Sequence, residues 1–259
     1  MHETLATLLL GIIEGITEFL PISSTGHLLI AQHWLGARSE LFTVVIQVGA
    51  ILGVVVVYWR RLLDLSLRIG RPENRDYLAK LIGSVAVTIV GGLGAKLLGL
   101  ELPDTIAPIA WALIAGGVAI LVIERRLAGA APHTAITWQV AVWVGVGQIA
   151  AAVFPGTSRS AAAIFAAMLA GVTSRAAAAE FAFIVGIPTM FAAAAYEMLK
   201  MLGTEQNEDW GALGLAFAAS AVVAFASVKW LLLYIRDHRF TPFAWYRIVF
   251  GIVLLAAVR

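Results

Sequence analysis

Residues 14–27 read Glu14-Gly-Ile-Thr-Glu18-Phe-Leu-Pro21-Ile-Ser23-Ser24-Thr25-Gly26-His27. This stretch decides the fold, because it sets two carboxylates, four hydroxyls, a histidine and a helix-breaking proline inside otherwise apolar sequence. A charged side chain at the centre of a membrane helix costs about 2.5–3.5 kcal/mol on insertion scales, so such a cluster is expected to face a protein interior or a water-filled cavity. The apolar run from 3 to 36 is therefore expected to be two half-length helices around a polar tip. Irregular backbone at membrane depth is tolerated only where protein or a cavity satisfies it.

The rest of the chain supplies that setting. Of 259 residues 61% are hydrophobic and 13% charged, with a mean hydropathy of +0.90, more apolar surface than a soluble domain can hide. The expectation is an all-α polytopic membrane protein, forming one integral domain over 1–259. Glu3, Glu14 and Glu18, without a basic segment or a small-residue cleavage site, mark the first twenty residues as mature structure rather than a signal peptide. The absence of cysteine excludes disulfides and thiolate metal sites. A formal charge of +2 gives no reason to expect a nucleic-acid partner, since the basic residues fall in loops, where they set topology.

Runs of about 20 apolar residues, enough to span a bilayer, occur at 41–59, 79–99, 106–123, 177–199, 211–235 and 241–258. A second interrupted run, 137–171, carries Pro155, Gly156, Thr157, Ser158, Arg159 and Ser160 at its middle. The expected architecture is six transmembrane helices plus two re-entrant hairpins. Arg60, Arg61, Arg68, Arg71, Arg75 and Lys80 mark one loop as cytoplasmic, as do Arg125 with Arg126 and Arg236 with Arg239. The segments Glu101–Asp104 and Glu205–Asp209 lack this excess and fit the outside. Threading the spans through these loops makes the first hairpin enter from outside and the second from the cytoplasm. That is the pattern of an inverted-topology repeat, with halves at about 1–125 and 137–259. Sliding the chain on itself aligns Glu14 with Gln148, Pro21 with Pro155 and Ser24 with Ser158, and a slightly longer slide aligns Gly49 with Gly186. In repeats of this kind the half-helix N-termini meet near the midplane and point at an anionic ligand.

The tips carry complementary chemistry. Glu14 and Glu18 share one helix face, four residues apart, and Ser24 and His27 share another at the start of the next half-helix. Ser23, Ser24 and Thr25 are good N-caps, and the free N–H groups there make a cradle for phosphate, with Gly26 leaving room for its approach. Ser23 and Thr25 serve equally well as caps or as ligand contacts. Arg159 offers a planar, permanently charged fork suited to bidentate phosphate binding, flanked by Thr157, Ser158 and Ser160. Together these residues are the inventory for hydrolysing a phosphate ester or anhydride. Gln47 and Gln148 read as hydrogen bonds between helices, with site lining as the second reading. Lys229, Arg236, Arg239, Arg247 and the tryptophans near span ends read as snorkelling and interfacial anchors.

The motif at 14–27, Pro-Gly-x-Ser-Arg-Ser at 155–160, Glu180-Phe-x-Phe and Pro242-Phe-Ala-x-Tyr-Arg247 resemble the bacitracin-resistance type undecaprenyl-pyrophosphate phosphatases over essentially the whole chain. Ala161 and Ala163 stand where that pattern has Gly and Thr. The resemblance implies a bacterial inner-membrane enzyme that removes the terminal phosphate of undecaprenyl pyrophosphate to recycle the carrier of cell-wall precursors. It also implies a site open to the periplasm and a divalent cation, Mg2+ or Ca2+. A homodimer is compatible with this reading.

These residues suggest that Ser24 attacks phosphorus and His27 acts as base and then acid. Glu18 is expected to orient His27, while Arg159 stabilises the equatorial oxygens. Glu14 would complete a carboxylate pair with Glu18 that holds the metal, or else poise the histidine. The rival arrangement makes His27 the nucleophile. An ion pair of Arg159 with Glu14 or Glu18 is the structural alternative. A transporter or flippase of an anionic lipid is the alternative function, because opposed broken helices also support alternating access.

Overall fold

The computed structural model describes residues 3–100, 102, 105–201 and 209–257, and every regular element among them is a helix. In chain order these are α1 (Glu3–Thr17), α2 (Ser24–Leu35), α3 (Glu40–Leu67), α4 (Pro72–Leu97), α5 (Ile106–Arg126), α6 (Trp138–Val153), α7 (Arg159–Leu169), α8 (Arg175–Lys200), α9 (Trp210–Asp237) and α10 (Thr241–Ala257). Five of them, α3, α4, α5, α8 and α9, are long and apolar enough to cross a membrane. The sixth expected span, α10, has 17 residues, and Val258 at its expected end lies outside the described residues. So do Glu101, Asp104, Glu205 and Glu208 of the loops read as external. Asp209, beside them, caps α9 by accepting from the N–H groups of Gly211 and Ala212.

Both interrupted runs break where the sequence places Pro with Ser, Thr and Gly. Helix lengths of 15, 12, 28, 26 and 21 residues are followed by 16, 11, 26, 28 and 17. α1 and α3 run alongside α9 in the same direction, Gly11 and Gly15 meeting Ala216 and Ser220 and Gly49 and Gly53 meeting Phe217 and Ala221, whereas α6 runs along α4, which begins where α3 ends, so the hairpins α1–α2 and α6–α7 open toward opposite ends of the bundle. An Arg38–Glu3 ion pair of 3.1 Å ties the end of α2 to the start of α1. At the other end, His133 N–H donates to Thr173 Oγ1 at 2.6 Å and Thr173 Oγ1 donates to Ala131 O, joining the approach to α6 with the exit from α7.

Close approach of backbones holds the hairpins in place. α1 and α3 both pack on α9, and a Cβ added at Gly11 or Gly49 would lie 2.4 Å from Ala216 O or 2.6 Å from Phe217 O. Small residues at such crossings let helices gain dispersion contact where lipid offers no hydrophobic drive to association. The main core gathers Phe19, Ile51, Val144, Ile164, Phe181 and Leu231 from six different segments. Outward faces are apolar too, with Leu97 87% and Val222 69% exposed. Contiguous exposure on that scale suits hydrocarbon and not water, so the chain is a multi-pass membrane protein.

Candidate active site

The two tips differ in sequence but share a backbone device. Ser23 and Ser158 both take positive φ, 74° and 68°, a conformation that costs a non-glycine residue about 1–3 kcal/mol. Each is the N-cap of the returning half-helix. Backbone geometry therefore pairs Ser23 with Ser158 and Ser24 with Arg159, one residue off the Ser24–Ser158 match that identity suggests. The candidate nucleophile and the candidate phosphate anchor occupy equivalent first positions of α2 and α7.

The tips are tied together by side chains. Ser160 Oγ donates to Leu20 O at 3.1 Å. Its single proton being used there, Ser158 donates to Ser160 Oγ at 3.0 Å while accepting from Ala161 N–H. Arg247 is fully buried and makes no ion pair among the described residues. It donates to Pro21 O at 3.3 Å in the first tip and Gly156 O at 3.1 Å in the second, and to Leu113 O and Ala112 O of α5. Reading Arg247 as a snorkelling anchor was incorrect: a guanidinium can enter hydrocarbon depth when carbonyls released by two broken helices satisfy its donors. Its place in the middle of a short apolar helix was the available signal. Gly116 makes the space, since a Cβ there would lie 2.2 Å from Arg247 Nη2.

Between the tips lies a cavity of about 50 Å3 lined by Glu18, Ser23, Ser24, Thr25, Gln47, Ala151, Ser158 and Arg159. Ser24 Oγ donates to Glu18 Oε2 in a short hydrogen bond. Ser23 Oγ is buried with no partner, despite its N-cap position, so this hydroxyl is left for a ligand. Arg159 makes no hydrogen bond or ion pair among the described residues, so the structural alternative, a pair with Glu14 or Glu18, does not form. Glu14 is fully buried, and neither of its carboxylate oxygens has a partner. A carboxylate left this way requires a cation or a proton.

His27 faces elsewhere. Its Nδ1 is 2.7 Å from Ser23 O, which can only accept, so Nδ1 carries the proton and Nε2, 2.6 Å from Tyr246 Oη, accepts the phenol's. The ring stacks on Phe250 at 4.4 Å. It does not line this cavity, and Glu18, expected to orient it, binds Ser24 instead. Three residues on a helix subtend about 60° between side chains, enough to direct Ser24 at α1 and His27 at α10. Gly26 packs against Ile109 and Phe250, fixing that rotation. Thr157 does not line the cavity either. Gln148 bridges to Thr189 at 2.8 Å, whereas Gln47 lines the site. Residues that sequence reading did not assign to the site are Tyr246 and Arg247, both within the Pro242–Arg247 motif.

A family model described as Bacitracin resistance protein BacA matches residues 7–253. The chain belongs to this family. Members named Undecaprenyl-diphosphatase include that of Rhizobium etli strain CIAT 652, 62% identical over 95% of this chain and 94% of its own. The one from Stenotrophomonas maltophilia strain R551-3 is 57% identical over 98% and 97%, and that of Xylella fastidiosa strain 9a5c is 51% identical over 98% of each. The match takes in both hairpin tips, so the site lies wholly within the matched residues.

Proposed function

We propose that the protein hydrolyses undecaprenyl pyrophosphate to undecaprenyl phosphate and inorganic phosphate. The observation that carries this is the Ser24–Glu18 hydrogen bond facing an unpaired Arg159 across one small polar cavity. Transport of an anionic lipid needs the arginine but not a hydroxyl bonded to a carboxylate.

In this reading Ser24 Oγ attacks the terminal phosphorus and its proton passes to Glu18. The bridging P–O bond breaks and the lipid leaves as a phosphate monoester. Glu18 releases that proton to the departing lipid phosphate or to solvent, water then attacks the phosphoserine and gives a proton to the freed Glu18, and Glu18 returns it to Ser24 Oγ as phosphate departs. The leaving group is itself a phosphate and needs little protonation, which is why a site without a histidine beside the scissile bond suffices. Arg159 and the Ser23 hydroxyl stabilise the equatorial oxygens, with the α2 and α7 N-terminal amides adding positive potential. His27 acts as a positioning residue, holding the carbonyl of strained Ser23 through Nδ1–H.

No group of three or more His, Asp or Glu side chains suited to a metal occurs among the described residues. The donor set fits a cation that retains waters and takes its remaining ligands from the substrate, the habit of Mg2+ at phosphates. Glu14 and Glu18 would hold it, and it would supply neutralisation of pyrophosphate charge.

We further propose that α1–α2 and α6–α7 are re-entrant hairpins of an inverted repeat in the bacterial inner membrane, with α10 as a sixth span and the site opening to the periplasm. The recurring helix lengths, the opposed hairpin mouths and the arginine-rich loops at one end support this. Phosphate release from undecaprenyl or farnesyl pyrophosphate by purified protein tests the activity. If none is released the hydrolase reading fails, and a release that Ser24→Ala leaves unchanged removes Ser24 as the nucleophile. An acid-labile, base-stable phospho-enzyme would shift the nucleophile from Ser24 to His27.

A further inference from the structure

At the end of the bundle where α5 and α9 finish and α8 and α10 begin, a second cavity of about 340 Å3 is lined by Leu127, Pro132, Arg175, Ile235, Arg236 and Arg239 together with the small residues between them. Arg175 stands on α8 eleven residues before Gly186, which lines a narrow cleft with Glu18, Gln148 and Arg159 beside the tips; at 1.5 Å per residue the two are roughly 16 Å apart along the helix. It is therefore a separate site. Its volume is within the range of ligand pockets, about 300–1,000 Å3.

The walls are built rather than incidental. Glu124, 2% exposed, accepts from Arg175 Nε at 2.8 Å and from Arg175 Nη2, and also from Phe240 N–H at 2.9 Å. This fixes one arginine and joins the ends of three helices. The segment 131–133, from which Pro132 lines the cavity, is pinned by the Thr173 bonds already described and by Ser174 N–H to His133 O at 3.1 Å. No carboxylate lines the cavity. Arg236 and Arg239 form no ion pair among the described residues, so two positive charges face the space uncompensated while Leu127, Pro132 and Ile235 give it an apolar side.

We propose that this cavity binds a phosphate group, held by Arg236 and Arg239 against the Arg175 wall. Two sources share that chemistry, a lipid phosphate whose chain runs along the apolar side and free inorganic phosphate. Arginine forks suit both. The proposal stands apart from the hydrolase reading and does not require it.

The test measures binding to purified protein carrying Arg159→Ala, so that the site at the tips does not contribute, with farnesyl monophosphate and inorganic phosphate as separate probes. Arg236→Gln combined with Arg239→Gln is expected to weaken binding at least tenfold. Arg71→Gln with Arg75→Gln, two exposed arginines at the same end of the bundle, should change it less than threefold. Weakening confined to farnesyl monophosphate identifies a lipid phosphate, and weakening of both probes identifies the phosphate group alone. Equal effects of the two double substitutions would reduce the site to surface charge and overturn the proposal, as would no effect of either. Pyrophosphate hydrolysis by the Arg236→Gln/Arg239→Gln protein with Arg159 intact separates the two readings, since loss of the second site leaves the Ser24 chemistry in place.

Discussion

At the residue scale the decisive contact is Ser24 to Glu18. Glu18→Gln keeps the size and a hydrogen-bond partner but removes the base, so kcat should fall roughly a hundredfold to ten-thousandfold. Ser24→Ala should do the same, and the double variant should be no worse than the poorer single one, because the two act as a unit. Phosphate-release kinetics on the three variants checks this; near-wild-type turnover by Glu18→Gln would return the base to His27. For Glu14 the expected outcome concerns the cation. Chelation with EDTA should abolish turnover, and Glu14→Gln should raise the Mg2+ concentration for half-maximal activity at least tenfold. The types of these residues were legible from sequence, since carboxylates and an arginine at membrane depth have few uses other than function. Their partners were not. Ser24 and His27 sit on adjacent faces of one half-helix, and which face meets Glu18 depends on how α2 is rotated against α5 and α10.

At the scale of elements, the broken helices exist because local sequence breaks them, and they stay in register because distant residues hold their ends. Arg247 is the principal tie, with four carbonyl acceptors on two tips and α5. Arg247→Met leaves those carbonyls without a donor at a depth where each unpaired group costs about 1–3 kcal/mol. Thermal unfolding in detergent should show a loss above about 2 kcal/mol, with turnover falling as the tips separate. Gly116→Ala should perturb the same tie from the other side, because its methyl would displace the guanidinium and cost about 1–3 kcal/mol. A Gly116→Ala protein as stable and active as the parent would mean that the tips do not depend on this arginine. Sequence displayed Arg247 as one charged residue inside an apolar span. Its role arises from α10 packing along α5, with Gly116 opposite, a pairing no local pattern encodes.

At the scale of the molecule, opposed hairpin mouths make a topological prediction that a chain without cysteine is well suited to test. Trp34→Cys, at the exposed end of α2, should react with a membrane-impermeant maleimide added to intact cells stripped of their outer membrane. Ala131→Cys, exposed before α6, should react only after the inner membrane is opened. Labelling of both from the same side would remove the inverted arrangement. The membrane class, the number of broken segments and their break points were readable along the chain, because hydropathy and helix-breaking chemistry act over a few residues.

What sequence determined by itself is thus the solvent of this protein, the ten-segment pattern near Pro21 and Pro155, and the kinds of side chain gathered at the tips. Family likeness added the chemistry these side chains resemble. Tertiary structure alone decided that Glu18 rather than His27 meets Ser24, that Ser23 rather than Ser24 matches Ser158, and that Arg247 joins the two tips. The division has a physical cause: hydrophobicity, helix breaking and charge are properties of short segments, whereas hydrogen-bond partnership is fixed by rotations and separations of helices that approach from opposite ends of the bundle.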